Sequence, residues 1–186
     1  MKLFDRGNLV EVFTEGATRG RGHRIPTVCC LLPTAQERQQ VMGEGGSNVN
    51  CWSSAEHALD YLNRIDTIPH RTEGEAVLLD SVPRDVNGIL DLGSGDGRLL
   101  RLLKVERPRA RAVAVDFSPV MLSALRKTFA GDPTVTIVEH NLDHLLPGLG
   151  QFDAVVSSFA IHHLAHGRKR SLYKEISACC CRAGSS

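Results

Sequence analysis

The chain has 186 residues, of which 42% are hydrophobic and 23% are charged, and its net charge is +1. This length is enough for one domain with a hydrophobic core, and the near-zero charge gives no general electrostatic reason to expect a nucleic-acid partner. No apolar segment approaches the ~20 residues of a membrane span, so we expect no transmembrane helix and no membrane association.

Residues 1–51 are predicted to be a flexible or poorly ordered extension. Glycine is frequent there, and the two short apolar segments Leu9–Phe13 and Ile25–Leu32 join no larger pattern. Such a segment buries too little apolar surface to offset the entropy of ordering it. It also lacks the pattern of a secretory signal peptide, so the cytoplasm is the expected compartment, with an organelle left open.

Residues 52–178 are predicted to form the domain. Its N-terminal part, 52–82, begins with a helix for which Ser53 or Ser54 is a suitable cap, and a second helix covers Glu73–Ser81.

Short apolar strands then alternate with amphipathic helices. Strands are predicted at Gly88–Leu92, Ala112–Val115, Thr134–Val138 and Phe152–Ser157, and helices at Arg98–Glu106, Ser118–Ala130 and Arg168–Ala178. This alternation predicts an α/β fold with a parallel sheet and helices on both faces.

A glycine-rich loop between the first of these strands and its helix is the sharpest motif. It reads Asp91-Leu92-Gly93-Ser94-Gly95-Asp96-Gly97. A ligand that lies against a strand end needs backbone without Cβ atoms, which Gly93 and Gly95 supply, and the next helix offers N–H groups to a polar or anionic group. The spacing differs from the Gly-x-Gly-x-x-Gly dinucleotide fingerprint.

A second acidic residue, Asp116, ends the next strand. A carboxylate at this position can accept both hydroxyls of a ribose that lies across the strand ends. The alternative is a surface carboxylate or a helix cap, and the combination with the glycine-rich loop favours the ribose.

These segments resemble successive motifs of the class I S-adenosylmethionine (SAM)-dependent methyltransferases. They are Ile89–Leu100, Val113–Leu122, Val138–Leu142 and Phe152–Leu164, and the last resembles the subfamily with Ser-Ser-x-x-x-His-His after the fourth strand. The resemblance implies a Rossmann-like α/β fold with flanking helices and parallel strand order 3-2-1-4, with the SAM-binding half at residues 88–164. It also implies SAM as the cofactor and methyl transfer as the activity.

The resemblance further implies a set of cofactor contacts. We expect Asp91, Gly93, Ser94 and Gly95 at the methionine part, Asp116 at the ribose, Phe117 and Met121 on the adenine, Asn141 and Leu142 at the adenine edge, and Ser157, Ser158 and Phe159 at the methyl group. Arg71 is the candidate partner of the SAM carboxylate because arginine offers a bidentate fork, and a surface arginine is the alternative.

The acceptor is expected to be a small molecule. The segment Ser157-Ser158-Phe159-Ala160 lacks the Asn/Asp-Pro-Pro-Tyr/Phe tetrapeptide of enzymes that methylate amino groups of nucleobases. A second departure is Asn141, which stands where many relatives have Asp. Its carbonyl oxygen can still accept a hydrogen bond from the adenine amino group.

Two adjacent histidines, His162 and His163, are the candidate catalytic residues. Histidine titrates near neutral pH and can act as a general base, whereas the alternative is a packing or capping role. A nucleophilic acceptor needs no base, because positioning alone can then drive methyl transfer. The six cysteines lack Cys-x-x-Cys spacing, so we expect free thiols and no metal site.

The end of the chain departs from the family pattern, which continues with a Pro-Gly-Gly turn and three more strands. Residues 179–186 are Cys-Cys-Cys-Arg-Ala-Gly-Ser-Ser. Deleting one nucleotide from a family-like coding sequence can produce this ending, so we expect a frameshift or altered splice that truncates the fold after its fourth strand. That strand, with Val155 and Val156, is then expected to be an exposed sheet edge open to self-association.

Two other functions remain open at this point. One is a truncated SAM-binding module without turnover. The other is an NAD-dependent oxidoreductase, against which the glycine spacing and the segment Ser157–His163 count.

Overall fold

The sheet has seven strands in the order β1-β2-β3-β7-β4-β5-β6. The structure is a computed structural model that describes residues 2–5, 8–13, 27–32, 52, 54–64 and 71–179. The strands are β1 Lys2–Asp5, β2 Asn8–Phe13, β3 Thr27–Leu32, β4 Gly88–Leu92, β5 Arg111–Asp116, β6 Val135–Glu139 and β7 Ala154–Ser158. The helices are α1 Ala55–Arg64, α2 Arg71–Ser81, α3 Arg98–Glu106, α4 Pro119–Thr128 and α5 His166–Cys179.

The four strands β4 to β7 form the parallel part of the sheet. β4 pairs with β5 on one side and with β7 on the other, and β6 pairs with β5. Counted in chain order, this arrangement is 3-2-1-4, so the predicted strand order is confirmed. The central strands β4 and β7 are almost fully buried, because helices cover both faces of the sheet there.

Helices cover both faces of this sheet, as the alternating pattern predicts. One core cluster joins α2, α3 and α4 to the sheet through side chains such as Leu78, Leu103 and Leu125. The other cluster joins α5 to the opposite face through Leu172 and Ile176. None of the described helices is long and apolar enough to cross a membrane, and the expected compartment stays a prediction.

The expectation that β7 is an exposed edge of the sheet is wrong. Strand β3 pairs in parallel with β7, with Val28 beside Val155 and Cys29 beside Val156. Strands β1 and β2 extend the sheet further as an antiparallel pair. An edge strand offers unpaired N–H and C=O groups, and an apolar segment from the same chain satisfies them here.

These three strands lie within the predicted extension at residues 1–51, so parts of that segment belong to the sheet. The rest of it, and residues 180–186 of the expected aberrant tail, lie outside the described residues. The division into an extension, a domain and a tail stays a prediction.

Arg107, between α3 and β5, secures the end of α2 and is only 3% exposed. Its Nε donates to the carbonyl oxygen of Pro83 at 2.9 Å, and its Nη2 donates to those of Leu79 and Val82. The last carbonyl groups of a helix have no donor within the helix. One guanidinium therefore satisfies the carbonyl group of Leu79 in the last turn of the helix and those of Val82 and Pro83 just after it, and so fixes the end of the helix that carries Arg71.

We expect Arg107→Met to lower the free energy of unfolding by about 2–3 kcal/mol, because buried carbonyl groups lose their donor. Arg109→Met is the matched control, because Arg109 is exposed in the same loop, and its effect should stay within about 0.5 kcal/mol. Urea denaturation followed by circular dichroism measures both values. Equal losses in the two variants would contradict the assigned role.

Candidate functional site

A pocket lies at the carboxyl ends of the parallel strands, where the loops after β4, β5, β6 and β7 meet. It encloses about 1000 Å³, counted out to its opening to solvent. Twelve of the thirteen predicted cofactor residues line it, namely Arg71, Asp91, Gly93, Ser94, Gly95, Asp116, Phe117, Met121, Asn141, Leu142, Ser158 and Phe159. The candidate catalytic residue His163 lines it as well.

Two of the predicted site residues do not line the pocket. Ser157 is buried, and its hydroxyl donates to the carbonyl oxygen of Leu92 at 2.7 Å. Successive side chains of a strand point to opposite faces, so Ser158 reaches the pocket and Ser157 does not. His162 lies in a short 3-10 helix, and its carbonyl oxygen accepts a hydrogen bond from Lys169 Nζ at 2.7 Å.

The pocket also has lining residues that sequence reasoning missed. They are Trp52, Tyr61, Asp96, Leu99, His140, Asp143, Ala160 and Leu164. Tyr61 lies three positions after Ala58, the buried residue of α1, so helical spacing carries a signal for it.

The glycine-rich loop is tied to the end of β5. The N–H groups of Gly93 and Ser94 donate to the carbonyl oxygen of Val115 at 2.8 and 2.9 Å. The N–H of Gly95 donates to Asp116 Oδ2 at 2.8 Å. These three N–H groups therefore donate to β5, and the expectation that Gly93 and Gly95 leave room for a ligand at the strand end stays a prediction.

The two glycines at the start of the loop are favoured at their positions for different physical reasons. A Cβ on Gly93 would lie 2.1 Å from the Cβ of Ala160, so this glycine permits contact between two loops. A Cβ on Gly95 would have only Met121 Sδ nearby, at 4.0 Å. Gly95 also has a φ of +58°, so a side chain there is strained and would project into the open pocket.

Asp91 is the least compensated charged group of the site. It is 1% exposed, and neither carboxylate oxygen has a hydrogen-bond partner among the described residues. Burial raises its pKa to about 7, the nearby hydroxyl of Ser94 lowers the pKa in part, and the negative charges of Asp116 and Asp96 raise it further. A buried carboxylate without a partner is costly, so its position on the pocket suits a ligand that brings a positive charge.

Asp116 holds the neighbouring position on β5. Its Oδ1 accepts hydrogen bonds from the N–H groups of Phe117 and Ser118 at 2.8 and 2.9 Å, and its Oδ2 accepts one from Gly95. Burial raises the pKa of this carboxyl group, although the three hydrogen bonds lower it. A carboxylate has about four acceptor positions, so only one, on Oδ2, stays available and not the two that the sequence predicts.

Arg71 is 6% exposed, so the alternative of a surface arginine is wrong. Its Nε donates to Glu75 Oε1 at 2.7 Å, and its Nη1 donates to the hydroxyl of Tyr61 at 2.8 Å. Arg98 Nε also donates to Glu75, at 3.0 Å. Two guanidinium groups thus share the carboxylate of Glu75.

The predicted bidentate fork of Arg71 is therefore engaged within the protein. Of the three guanidinium nitrogens of Arg71, only Nη2 has no hydrogen-bond partner among the described residues, so Arg71 can offer that group to a ligand. Glu75, which holds both arginines, was missed. Its spacing of four residues from Arg71 within one helix is the signal that could have found it.

Phe159 combines a strained backbone with a place on the pocket wall. It is the only non-glycine residue with a positive φ that the structure describes, at 55°. The guanidinium of Arg71 lies 5.5 Å from the centre of its ring. Such strain is concentrated at functional sites, where the surrounding structure holds it in place.

His163 is half-buried against other rings. It lies 5.4 Å from the ring of Trp52 and 3.8 Å from the ring of His162. Burial, together with the positive charges of His57 and Lys169, lowers its pKa to about 4. At neutral pH the imidazole is uncharged and a weak base, which does not favour the general-base hypothesis.

The loop after β6 is held from two sides. Asn141 Oδ1 accepts a hydrogen bond from the N–H of Asp143 at 2.9 Å. Arg168 Nε donates to the carbonyl oxygen of Leu142 at 2.6 Å, and its guanidinium pairs with Glu175. The candidate residues for the adenine edge therefore sit on a fixed segment.

Comparison with known proteins gives a family and a fold. A family model described as a methyltransferase domain matches residues 89–184. An uncharacterised methyltransferase of Mycobacterium tuberculosis is 37% identical over 94 residues, which are 50% of this chain and 46% of that protein. A demethylmenaquinone methyltransferase of Thermus thermophilus is 34% identical over 115 residues, 59% of this chain and 51% of that protein. The chain spans about half the length of these relatives.

Solved structures show the same fold. An O-methyltransferase family protein from Burkholderia thailandensis has a TM-score of 0.58 at 18% identity and covers 72% of this chain and 41% of its own. The plantazolicin methyltransferase BpumL, solved in complex with SAH (S-adenosylhomocysteine), has a TM-score of 0.60 at 13% identity. The match covers 78% of this chain and 58% of BpumL. At these identities the likeness concerns the fold alone.

We expect Asp91→Asn to change how stability depends on pH. The pKa of this carboxyl group is raised in the folded protein, so the folded state holds its proton up to about pH 7 while the unfolded chain releases it near pH 4. Its contribution to stability is therefore complete below about pH 4 and is lost as the pH rises to about 7.

The variant has no titrating group at this position. Its free energy of unfolding should therefore rise relative to wild type between pH 4 and 7, as measured by urea denaturation at several pH values. Asp80→Asn, on the exposed side of α2, controls for the removal of one negative charge. A constant difference between Asp91→Asn and wild type over this range would refute the assignment.

Proposed function

Because this chain belongs to the class I SAM-dependent methyltransferase domain family, we propose that its pocket binds SAM and that the protein transfers the SAM methyl group to a small molecule. The observation that carries the proposal is the buried, unpartnered carboxylate of Asp91 beside the glycine-rich loop. The α-ammonium group of SAM is a cation of the kind that this carboxylate lacks.

Each other part of SAM has a counterpart in the pocket. The Nη2 group of Arg71, which has no hydrogen-bond partner among the described residues, suits the SAM carboxylate, and the remaining acceptor position of Asp116 suits a ribose hydroxyl. Phe117 and Met121 supply apolar surface for the adenine ring. Asn141 Oδ1 already accepts one hydrogen bond, and its second lone pair is available to the adenine amino group.

When bound, SAM supplies an electrophilic methyl group on a sulfonium ion. The protein's own contribution is then to hold the acceptor against that group and to exclude water, since positioning can supply most of the rate. His163 with its lowered pKa is not suited to take a proton, so the acceptor should be nucleophilic on its own. A Thermus relative named for demethylmenaquinone supports a small-molecule acceptor.

Titration calorimetry with SAH tests the proposed cofactor site. We expect binding in the micromolar range, and a loss of about tenfold or more in Asp116→Asn, because a hydrogen bond to a charged group is weakened. Asp80→Asn is the charge-matched control on the exposed side of α2 and should bind like wild type.

NAD serves as the competing ligand in the same titrations. Tighter binding of NAD than of SAH would favour the oxidoreductase alternative. Binding of SAM without methyl transfer to any acceptor would favour the non-catalytic module.

Replacing Gly95 tests whether the loop faces the ligand. Gly95→Ala and Gly131→Ala both force a side chain into positive φ, so each should lose about 1–2 kcal/mol of stability. A Cβ on Gly131 meets nothing within 4 Å, whereas one on Gly95 projects into the pocket. Only Gly95→Ala should lose SAH affinity in calorimetry, and equal affinities in the two variants would refute this orientation.

A further inference from the structure

One wall of the pocket consists of aromatic side chains that the proposed cofactor contacts do not use. The ring of Trp52 contacts the rings of Tyr61 at 4.9 Å and His163 at 5.4 Å, both edge-on. All three line the pocket, and we call them the aromatic wall. Its surface is large, rigid and apolar, and therefore suits the face of a flat ring system.

The aromatic wall adjoins the expected position of the methyl group. Tyr61 is hydrogen-bonded to Arg71 at 2.8 Å, and the same guanidinium lies over the ring of Phe159. Phe159 follows Ser158 at the end of β7, where the resemblance places the methyl group. A molecule on the aromatic wall therefore lies next to the reacting end of the cofactor.

The aromatic wall has a donor without an acceptor. Trp52 Nε1 is buried and has no hydrogen-bond partner among the described residues. The indole N–H can only donate, so it requires an oxygen or nitrogen lone pair from a bound molecule. Ser158 Oγ, also on the pocket, is buried and without a partner as well.

The charges around the aromatic wall are mixed. Arg71 donates a hydrogen bond to Tyr61, and the negative charges of Asp96 and Glu75 also act on Tyr61. His163 is uncharged at neutral pH.

We propose that the aromatic wall binds a planar aromatic acceptor with an acidic hydroxyl group, and that Trp52 Nε1 donates a hydrogen bond to an oxygen of this molecule. This inference rests on the proposed function. The ionised hydroxyl oxygen forms a bond to the methyl carbon, the carbon–sulfur bond breaks, and its electron pair stays on sulfur to give SAH. The hydroxyl proton has already gone to water.

Trp52 is the only tryptophan of the chain, so its indole N–H gives a single signal in a ¹⁵N–¹H spectrum. The probe is 2-naphthol, added to protein saturated with SAH, and decahydro-2-naphthol is the matched compound without a flat ring. We expect 2-naphthol to shift the indole signal and the saturated compound to leave it in place.

The outcomes separate the two proposals. Failure of SAH to bind would overturn the proposed function and this inference with it. Normal SAH binding with no shift from 2-naphthol would overturn this inference alone. A full shift on SAH addition alone would also overturn it, because the indole would then belong to the cofactor site.

Variants of Trp52 test the hydrogen bond and the ring separately. Trp52→Phe keeps a ring without the N–H, so its dissociation constant for 2-naphthol should rise about tenfold, and Trp52→Ala should raise it further. Both should bind SAH within about twofold of wild type. Leu59→Ala, exposed on α1, is the control and should leave both affinities unchanged. A loss of SAH affinity in Trp52→Phe equal to its loss for 2-naphthol would overturn the assignment.

Discussion

The buried carboxylate of Asp91 is the constraint around which the site is built. It is the next-to-last residue of β4, the strand between β5 and β7 in the parallel part of the sheet, and helices cover both faces there. Strand order therefore produces the burial that raises its pKa to about 7. A protein can hold such a group only at a cost in stability, and a bound cation offsets that cost. The fold thus buries a carboxylate whose charge the ammonium group of the proposed cofactor would balance.

The neighbouring strand keeps this site in one shape. Val115 and Asp116 accept hydrogen bonds from the N–H groups of Gly93, Ser94 and Gly95, so the loop is fixed on β5 before any ligand binds. Recognition of a polar ligand then depends on side chains more than on free loop N–H groups. A site whose loop is already ordered loses little conformational entropy on binding.

The sequence predicts the parts of the fold whose local pattern is complete. Both β4 and α3 have the predicted bounds, because an apolar run buried on both faces is followed by a glycine-rich loop and an amphipathic helix. The pairing of β3 with β7 could not be predicted, because it joins segments more than a hundred residues apart and periodicity describes only one segment at a time. In helix α1 the large apolar residue Leu59 is 52% exposed, whereas Ala58 is buried. The side of α1 that faces the pocket meets aromatic and polar residues, so a stripe of apolar residues does not mark that side.

The same reasoning explains why the cofactor could be named before the acceptor. Most of the proposed cofactor contacts lie at strand ends and in one loop within residues 89–142, where a motif of fixed spacing is enough to predict them. The aromatic wall brings Trp52 and Tyr61 together with His163, and the first two precede the residues that the family model matches. These side chains meet only through tertiary packing, so no local pattern specifies them. Arg71 contacts Tyr61 and also lines the pocket, so it links the two sides. We expect substitutions of Trp52 or His163 to alter the proposed acceptor contacts while the proposed cofactor contacts persist.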